Sequence, residues 1–274
     1  MSKAVEAHYT RGNLLEAIRE ALTAAGKDLS RLTIEDLVLV DEFHLRGREA
    51  TEELAHQAAL TADAHVLDVG SGVGGPARWL ASHVGCRVTG IDLTEEFCQA
   101  ATALTQWVGL SERVQFKQGD ALHMPFADAG FDAAWTQHVA MNIANKARLY
   151  SEVARVVKPG GKFAIYDLLQ GPGGEVLYPV PWAPDASLSF LARPEEMRAL
   201  LGGAGFKIVH ERDTTEIGLA WFRRALERVK AGQRPPLALH SLGGARLPEM
   251  LRNVERNLAE DRIRAFEFVS VRER

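Results

Sequence analysis

Gly70, Gly72 and Gly75 stand at G-x-G-x-x-G spacing in VLDVGSGVGGPARWL, with Ser71 inside the bend and Pro76 where a helix would open. Glycine there tightens a strand-to-helix turn and lets a ligand approach the N–H groups of a helix N-terminus. Several nucleotide-binding folds share this spacing, so the neighbouring acids must discriminate. Asp68, two residues before Gly70, would repel a pyrophosphate and suits the ammonium group of a bound amino acid. Asp92 ends the next apolar run, about 20 residues on, where a carboxylate accepts hydrogen bonds from ribose hydroxyls. Asp120 ends a third run, in GDALHMPF, where it can accept from an adenine amino group while Ala121 offers its N–H.

S-adenosylmethionine uses all three acids. A nicotinamide cofactor uses the glycines and Asp92 but gives Asp68 no role. No Tyr-x-x-x-Lys pair follows FDAAWTQH, where the chain reads HVAMNIANKARLY. For acid–base chemistry the candidates are His138, just past that run, and Asp167 in AIYDLL. Imidazole titrates near neutrality, and strand carboxyl ends are where open α/β sheets bind ligands.

The elements that would carry these residues follow from periodicity. HVLDVG (65–70), RVTGIDL (87–93), VQFKQGD (114–120), FDAAWTQH (131–138) and KFAIYDLL (162–169) read as strands alternating with helices. That alternation predicts an α/β fold with a doubly wound, parallel sheet. GPARWLASHVG is the helix after the glycine loop. TEEFCQAATALTQWVGL is a helix capped by Thr94 and ended at Gly109, and KARLYSEVARVV is closed by KPGG.

Residues 1–60 read as a helical lid, with Leu14, Leu15, Ile18 and Leu22 on one stripe, a stop at Gly26, and a second helix capped by Thr51. VDEFHLRGRE connects the two. Residues 61–170 form the cofactor-binding core, and 171–274 the remaining sheet with inserted cap helices, all in one domain. After a Pro- and Gly-rich loop holding Trp182, PEEMRALLGGAGF is a helix and KIVHERD a strand. Two stripes follow: Leu219, Phe222, Leu226 and Val229, then Leu247, Met250, Leu251, Val254 and Leu258. They predict cap helices at 216–231 and 243–259 ahead of a terminal strand, IRAFEFVSVRE. Trp182, Trp221, Phe222 and Met250 are candidate walls for an apolar acceptor pocket.

The 274 residues are 46% hydrophobic and 25% charged with formal net charge -4, and no basic block marks a nucleic-acid partner. No apolar run reaches the ~18 residues of a membrane span. MSKAVEAHYTRG lacks the apolar core of a secretory signal, so a cytoplasmic location is expected. Cys86 and Cys98 make neither a zinc cluster nor a disulfide framework, and no metal site is expected. The expected partner is a small-molecule substrate, with the apolar cap helices candidates for a homodimer contact.

The order VLDVGSGVGG, VTGIDL, GDALHMPF, FDAAWTQH and VKPGGKFAIYD resembles the class I S-adenosylmethionine-dependent methyltransferases, from about residue 40 to the end. DEFHLRGREATEELA and the Gly-Gly-Pro-Ala-Arg stretch narrow it to a small-molecule group. That group includes sarcosine/dimethylglycine and phosphoethanolamine N-methyltransferases and sugar O-methyltransferases. The resemblance implies a Rossmann-like, mostly parallel seven-stranded sheet whose antiparallel strand is the terminal one. It implies methyl transfer to a small acceptor, nitrogen ahead of oxygen or sulfur.

The resemblance also puts the methionine end of the cofactor near Asp68, Gly70, His44, Gly47 and Gln137. The ribose falls at Asp92, with Leu93 beside the adenine, and the adenine edge at Asp120 and Ala121. Tyr9 resembles a lid tyrosine of the phosphobase enzymes. Where those enzymes carry an Asp and, four residues later, a His, this chain has His138 and Asn142. The candidate catalytic set is therefore His138, Asn142, Asp167 and Tyr9. Two alternatives stay open: a nicotinamide-dependent oxidoreductase, and a relative that holds the cofactor without methylating.

Overall fold

The computed structural model describes residues 2–10, 12–231 and 246–274. Five strands run parallel: β1 (His65–Val69), β2 (Arg87–Asp92), β3 (Val114–Gln118), β4 (Phe131–Gln137) and β5 (Val157–Gln170). β6 (Phe206–Asp213) and β7 (Ile263–Arg272) complete a seven-stranded sheet ordered β3-β2-β1-β4-β5-β7-β6. β7 is antiparallel to both β5 and β6, as the family resemblance implied for the terminal strand. The strand order reverses between β1 and β4, and a crevice opens at the carboxyl ends of such a reversal.

The central strands are apolar almost throughout because both faces are covered. Ala133, Trp135, Tyr166 and Leu168 pack into one core, while Ala134, Phe163, Ile165 and Leu169 pack into the other. This is the two-residue alternation of a strand, read on adjacent strands. β5 begins earlier than the expected 162–169. Phe131 pairs with Val157 and Ala133 with Lys162, so Lys158–Gly161 bulge out and pairing resumes beyond them.

In the N-terminal segment, α1 (Ser2–Tyr9), α2 (Leu14–Ala24), α3 (Ile34–Asp41) and α4 (Arg48–Ala58) precede the sheet. A capping box opens α3: Asp36 N–H donates to Thr33 Oγ1 at 3.3 Å, and Thr33 N–H to Asp36 Oδ2 at 2.9 Å. Val40 and Asp41 of the expected connector are therefore helical. Thr51 does not cap α4. The helix starts at Arg48 after Gly47, whose φ of 49° breaks the chain direction, and Thr51 is fully buried inside it.

α5 (Gly75–Trp79) continues as a π-helical turn, Leu80–Val84, and stops at Gly85 in the left-handed region. α6 (Glu95–Trp107) follows Thr94. Ile18, Leu22 and Leu37 pack against Phe97 and Leu104 of α6, fastening the N-terminal helices to the sheet. A buried ion pair adds to this: Arg78 on α5 donates to Asp41 at 2.9 Å, both side chains wholly buried.

α7 (Lys146–Val156) and α8 (Pro194–Gly203) flank β5 and β6. α9 (Thr215–Lys230) and α10 (Leu247–Ala259) are inserted between β6 and β7, as their stripes predicted. The Val229 side chain and residues 243–245, included in those expected helices, lie outside the described residues. No described helix is long and apolar enough to cross a membrane.

Candidate active site

A cavity of about 380 Å³ lies at the carboxyl ends of β1, β2 and β4. The glycine loop forms its floor, and α1, the 41–45 segment, the Trp182 loop, α9 and α10 form its walls. Of the expected cofactor residues, His44, Asp68, Gly70, Ser71, Gly72, Asp92, Leu93, Asp120, Ala121 and Gln137 all line it.

The loop's backbone explains its glycines. Gly70 has φ 73° and Gly72 φ 52°. A Cβ on Gly70 would lie 2.3 Å from Val139, whereas one on Gly72 would meet nothing within 4 Å and fill open space beside the acids. Gly72 N–H and Thr94 N–H donate to the two oxygens of Asp92, each at 2.9 Å. A carboxylate retains further lone pairs for ribose hydroxyls. Burial raises Asp92's pKa, opposed by these N–H donors.

Asp68 is buried and its Oδ2 has no hydrogen-bond partner. Burial first, and Asp92 second, push its carboxyl up to about 8. Ser71 Oγ and Gln137 Nε2 are likewise buried and unpaired. An orphaned acceptor, hydroxyl and amide donor around one cavity are what the ammonium and carboxylate of an amino-acid tail would satisfy. The amide orientation is set from behind: Thr51 Oγ1 and Trp135 Nε1 both donate to Gln137 Oε1, at 3.2 and 3.0 Å. Thr51 also stands 3.3 Å from His44 Nε2, which pairs with Glu42 at 2.9 Å. Glu42 is lowered: burial pushes its carboxyl up, but the bond and charge of His44 and the charge of Arg48 outweigh it.

His138 has φ 53°, an uncommon conformation for a non-glycine residue. Its N–H donates to Tyr166 O at 2.8 Å, which holds the bend. Its Nε2 is buried and unpaired, and the residue lines the cavity. Burial, with His44 adding, holds its pKa well below 6.5, so the ring is neutral at pH 7.

The other three expected catalytic residues are held in hydrogen bonds, and two of them, Tyr9 and Asn142, line the cavity. Asp167 does not line the cavity. Its oxygens accept the N–H groups of Ala140 and Leu168 at 2.9 Å each, which pins the turn after His138. Burial raises it to about 6 against the charge of Lys146. Asn142 lines the cavity with its amide fully engaged: Oδ1 accepts from Tyr9 at 2.9 Å, and Nδ2 donates to Trp182 O and Leu188 O at 2.8 Å. Tyr9 and Asn142 thus tie α1 to the Trp182 loop across the cavity mouth. Burial first, then Asp92 and Asp167, raise the Tyr9 pKa, so its hydroxyl stays protonated.

Gly47 lies outside the lining and turns the chain into α4. Met250 is core, and Leu251 beside it faces the cavity with Trp182, Trp221 and Phe222. Asp41, Glu42 and Phe43 line the cavity and were not read from sequence. The Thr33–Asp36 capping box was the available signal that a helix starts just ahead of them. Among the described residues no group of three His, Cys, Asp or Glu side chains could hold a metal.

Residues 67–165 match the model of a methyltransferase domain. A sterol 24-C-methyltransferase of Gibberella zeae is 40% identical over 116 residues, 42% of this chain and 30% of that one. The chain spans between about a third and a half of the length of the curated relatives it matches first. A Haemonchus contortus phosphoethanolamine N-methyltransferase structure, with phosphomonomethylethanolamine and S-adenosylhomocysteine, superimposes with TM-score 0.74 at 22% identity over 85% of this chain and 55% of that one. The [4+2]-cyclase SpnF superimposes with TM-score 0.71 at 20% identity over 95% and 94%. At such identities the structural likeness establishes the fold.

Proposed function

We propose that this chain, which carries a class I S-adenosylmethionine-dependent methyltransferase domain, methylates a hydroxyl oxygen on a small molecule. The observation that carries the cofactor assignment is the buried, unpaired Asp68 Oδ2 beside Ser71 Oγ and Gln137 Nε2. A pyrophosphate brings no donor for that unpaired acceptor and would oppose its ionisation, which counts against a nicotinamide cofactor. When bound, S-adenosylmethionine supplies an electrophilic methyl group on a sulfonium. Asp68 would take its ammonium, Gln137 and Ser71 its carboxylate, Asp92 its ribose, and Asp120 with Ala121 its adenine.

The chain's own part in the reaction is to hold the acceptor, exclude water and receive a proton. His138, with its neutral ring, is the base: the acceptor oxygen would take the methyl as its bond to sulfur breaks, S-adenosylhomocysteine would leave, and the hydroxyl proton would pass to the imidazole. Oxygen is favoured because the acids lining the cavity are engaged. Asp41 pairs with Arg78, and Glu42 with His44 and Arg48. Asp68, Asp92 and Asp120 are assigned to the cofactor. Asp41 Oδ1 is unpaired, but Arg78 neutralises that carboxylate, so among the described lining residues none is left with a net charge to fix a protonated amine. The second reading is amine nitrogen, which the resemblance implied and the fold shared with a phosphoethanolamine N-methyltransferase favours.

The test is calorimetric titration with S-adenosylhomocysteine against NAD, followed by turnover with methyl-labelled cofactor over a panel of alcohols, phenols and amines. Micromolar binding of S-adenosylhomocysteine with labelled ether products is expected. NAD binding alone would remove the reading, and tight binding without transfer would favour a non-methylating relative.

A further inference from the structure

We infer that the acceptor is an uncharged, apolar ring system carrying a hydroxyl, held between the Trp182 loop and the inserted helices α9 and α10. This rests on the methyltransferase reading above and adds the substrate class. Two observations carry it. The first is charge: among the described residues lining the cavity there is no lysine or arginine, while Asp41, Glu42, Asp68, Asp92 and Asp120 all line it. A phosphorylated or carboxylated acceptor would find no lysine or arginine among those residues to receive it.

The second is the far wall. Trp182, Trp221 and Phe222 meet Leu251, Val254 and Ile263 there. Trp182 spends its indole N–H on Ser189 Oγ at 3.1 Å, so its ring offers only apolar surface. A wall half aromatic and half aliphatic is not a cage for a quaternary or protonated amine, which needs aromatic faces on several sides. A sugar would leave most of its hydroxyls unpaired against it. A fused or large apolar ring matches the wall, and its hydroxyl can reach the polar end at His138. Trp221 and Leu251, on different inserted helices, are the residues that set this specificity.

The experiment uses the full chain saturated with S-adenosylhomocysteine and the neutral fluorescent probe N-phenyl-1-naphthylamine. Saturable micromolar binding is expected, displaced by estradiol and unaffected by millimolar phosphoethanolamine, sarcosine or glucose. Leu251→Arg and Trp221→Arg should each weaken the probe at least tenfold, with S-adenosylhomocysteine affinity kept within twofold. Trp221 is only half-buried, so its variant keeps the test alive should Leu251→Arg not fold. Absence of saturable probe binding, displacement by phosphoethanolamine or sarcosine, or full probe affinity in the folded variants would overturn the inference. Failure of the unmodified chain to bind S-adenosylhomocysteine would instead defeat the methyltransferase reading, and is measured separately.

Discussion

Thr51, on α4, donates its hydroxyl to the amide oxygen of Gln137, at the end of β4, across 3.2 Å. Trp135 supplies a second donor to that oxygen at 3.0 Å, which leaves the amide Nε2 turned away from both donors, buried and unpaired. Thr51→Val keeps the shape and removes one donor. It should weaken S-adenosylhomocysteine by roughly three- to tenfold, the worth of one hydrogen bond of about 1 kcal/mol. Gln137→Leu should lose at least as much. Calorimetric titration checks both, and an unchanged Gln137→Leu affinity would mean that the amide does not meet the ligand.

Asp68 gives the site a pH signature. With its carboxyl at about 8 without ligand, the group is largely protonated at pH 7. A ligand ammonium favours the ionised form, so binding releases a proton below pH 8. Affinity for S-adenosylhomocysteine should therefore rise with pH between 6 and 8, by up to about tenfold per unit, and flatten above. The unliganded protein follows the opposite sign. Its raised carboxyl binds more protons folded than unfolded, so this group's contribution to stability falls as pH rises from about 4 to 8. Asp68→Asn should abolish both slopes; titrations in buffers of different ionisation enthalpy count the proton.

His138 should act on rate and not on cofactor binding. Replacing a positioned base costs about 10²- to 10⁴-fold, so His138→Ala should lower turnover within that range with S-adenosylhomocysteine affinity held within twofold. Because burial keeps the imidazole pKa well below 6.5, turnover should show no acid limb between pH 6.5 and 8. An acid limb at 6.5 that persists in His138→Ala would assign the titrating group elsewhere.

Asp167 separates structure from chemistry. Its two oxygens hold the N–H groups of Ala140 and Leu168. Asp167→Ala leaves both buried donors unpaired, at about 1–3 kcal/mol each. In a chain of this size each kcal/mol lowers Tm by roughly 2–4 °C. A fall of several degrees is expected by calorimetry. Loss of turnover with an unchanged Tm would restore Asp167 as a catalytic residue.

Legibility from sequence followed the range of the interactions. The glycine loop, the strand-end acids and the strand pattern were readable because each rests on neighbours a few residues away. Asp167 was expected at the acceptor, but its partner Ala140 is 27 residues distant, and only the fold shows that it holds that turn and lies outside the cavity lining. Thr51 fitted the local rule for a helix cap, yet Gly47 starts the helix earlier and Thr51 serves Gln137, 86 residues on. Buried charges such as Arg78 and Asp41 carry no local mark at all, since their pairing joins two helices 37 residues apart.

Gly70 and Gly72 sit two residues apart in one loop, and alanine should fail at each for a different reason. At Gly70 a Cβ would lie 2.3 Å from Val139, which is held on β4's carboxyl side by the turn that Asp167 pins. The branched side chain cannot retreat without moving that turn. Gly70→Ala should therefore lose stability by more than the ~1 kcal/mol of left-handed backbone strain alone. At Gly72 a Cβ meets nothing within 4 Å, so Gly72→Ala should cost about that strain and no more. The open space beside Gly72 is where the ligand would approach Asp92, and the methyl group fills it. Gly72→Ala should thus stay folded while S-adenosylhomocysteine affinity falls at least tenfold. Urea melts and calorimetric titrations on the pair decide: should Gly72→Ala bind as tightly as the unmodified chain, the ligand does not lie against this loop.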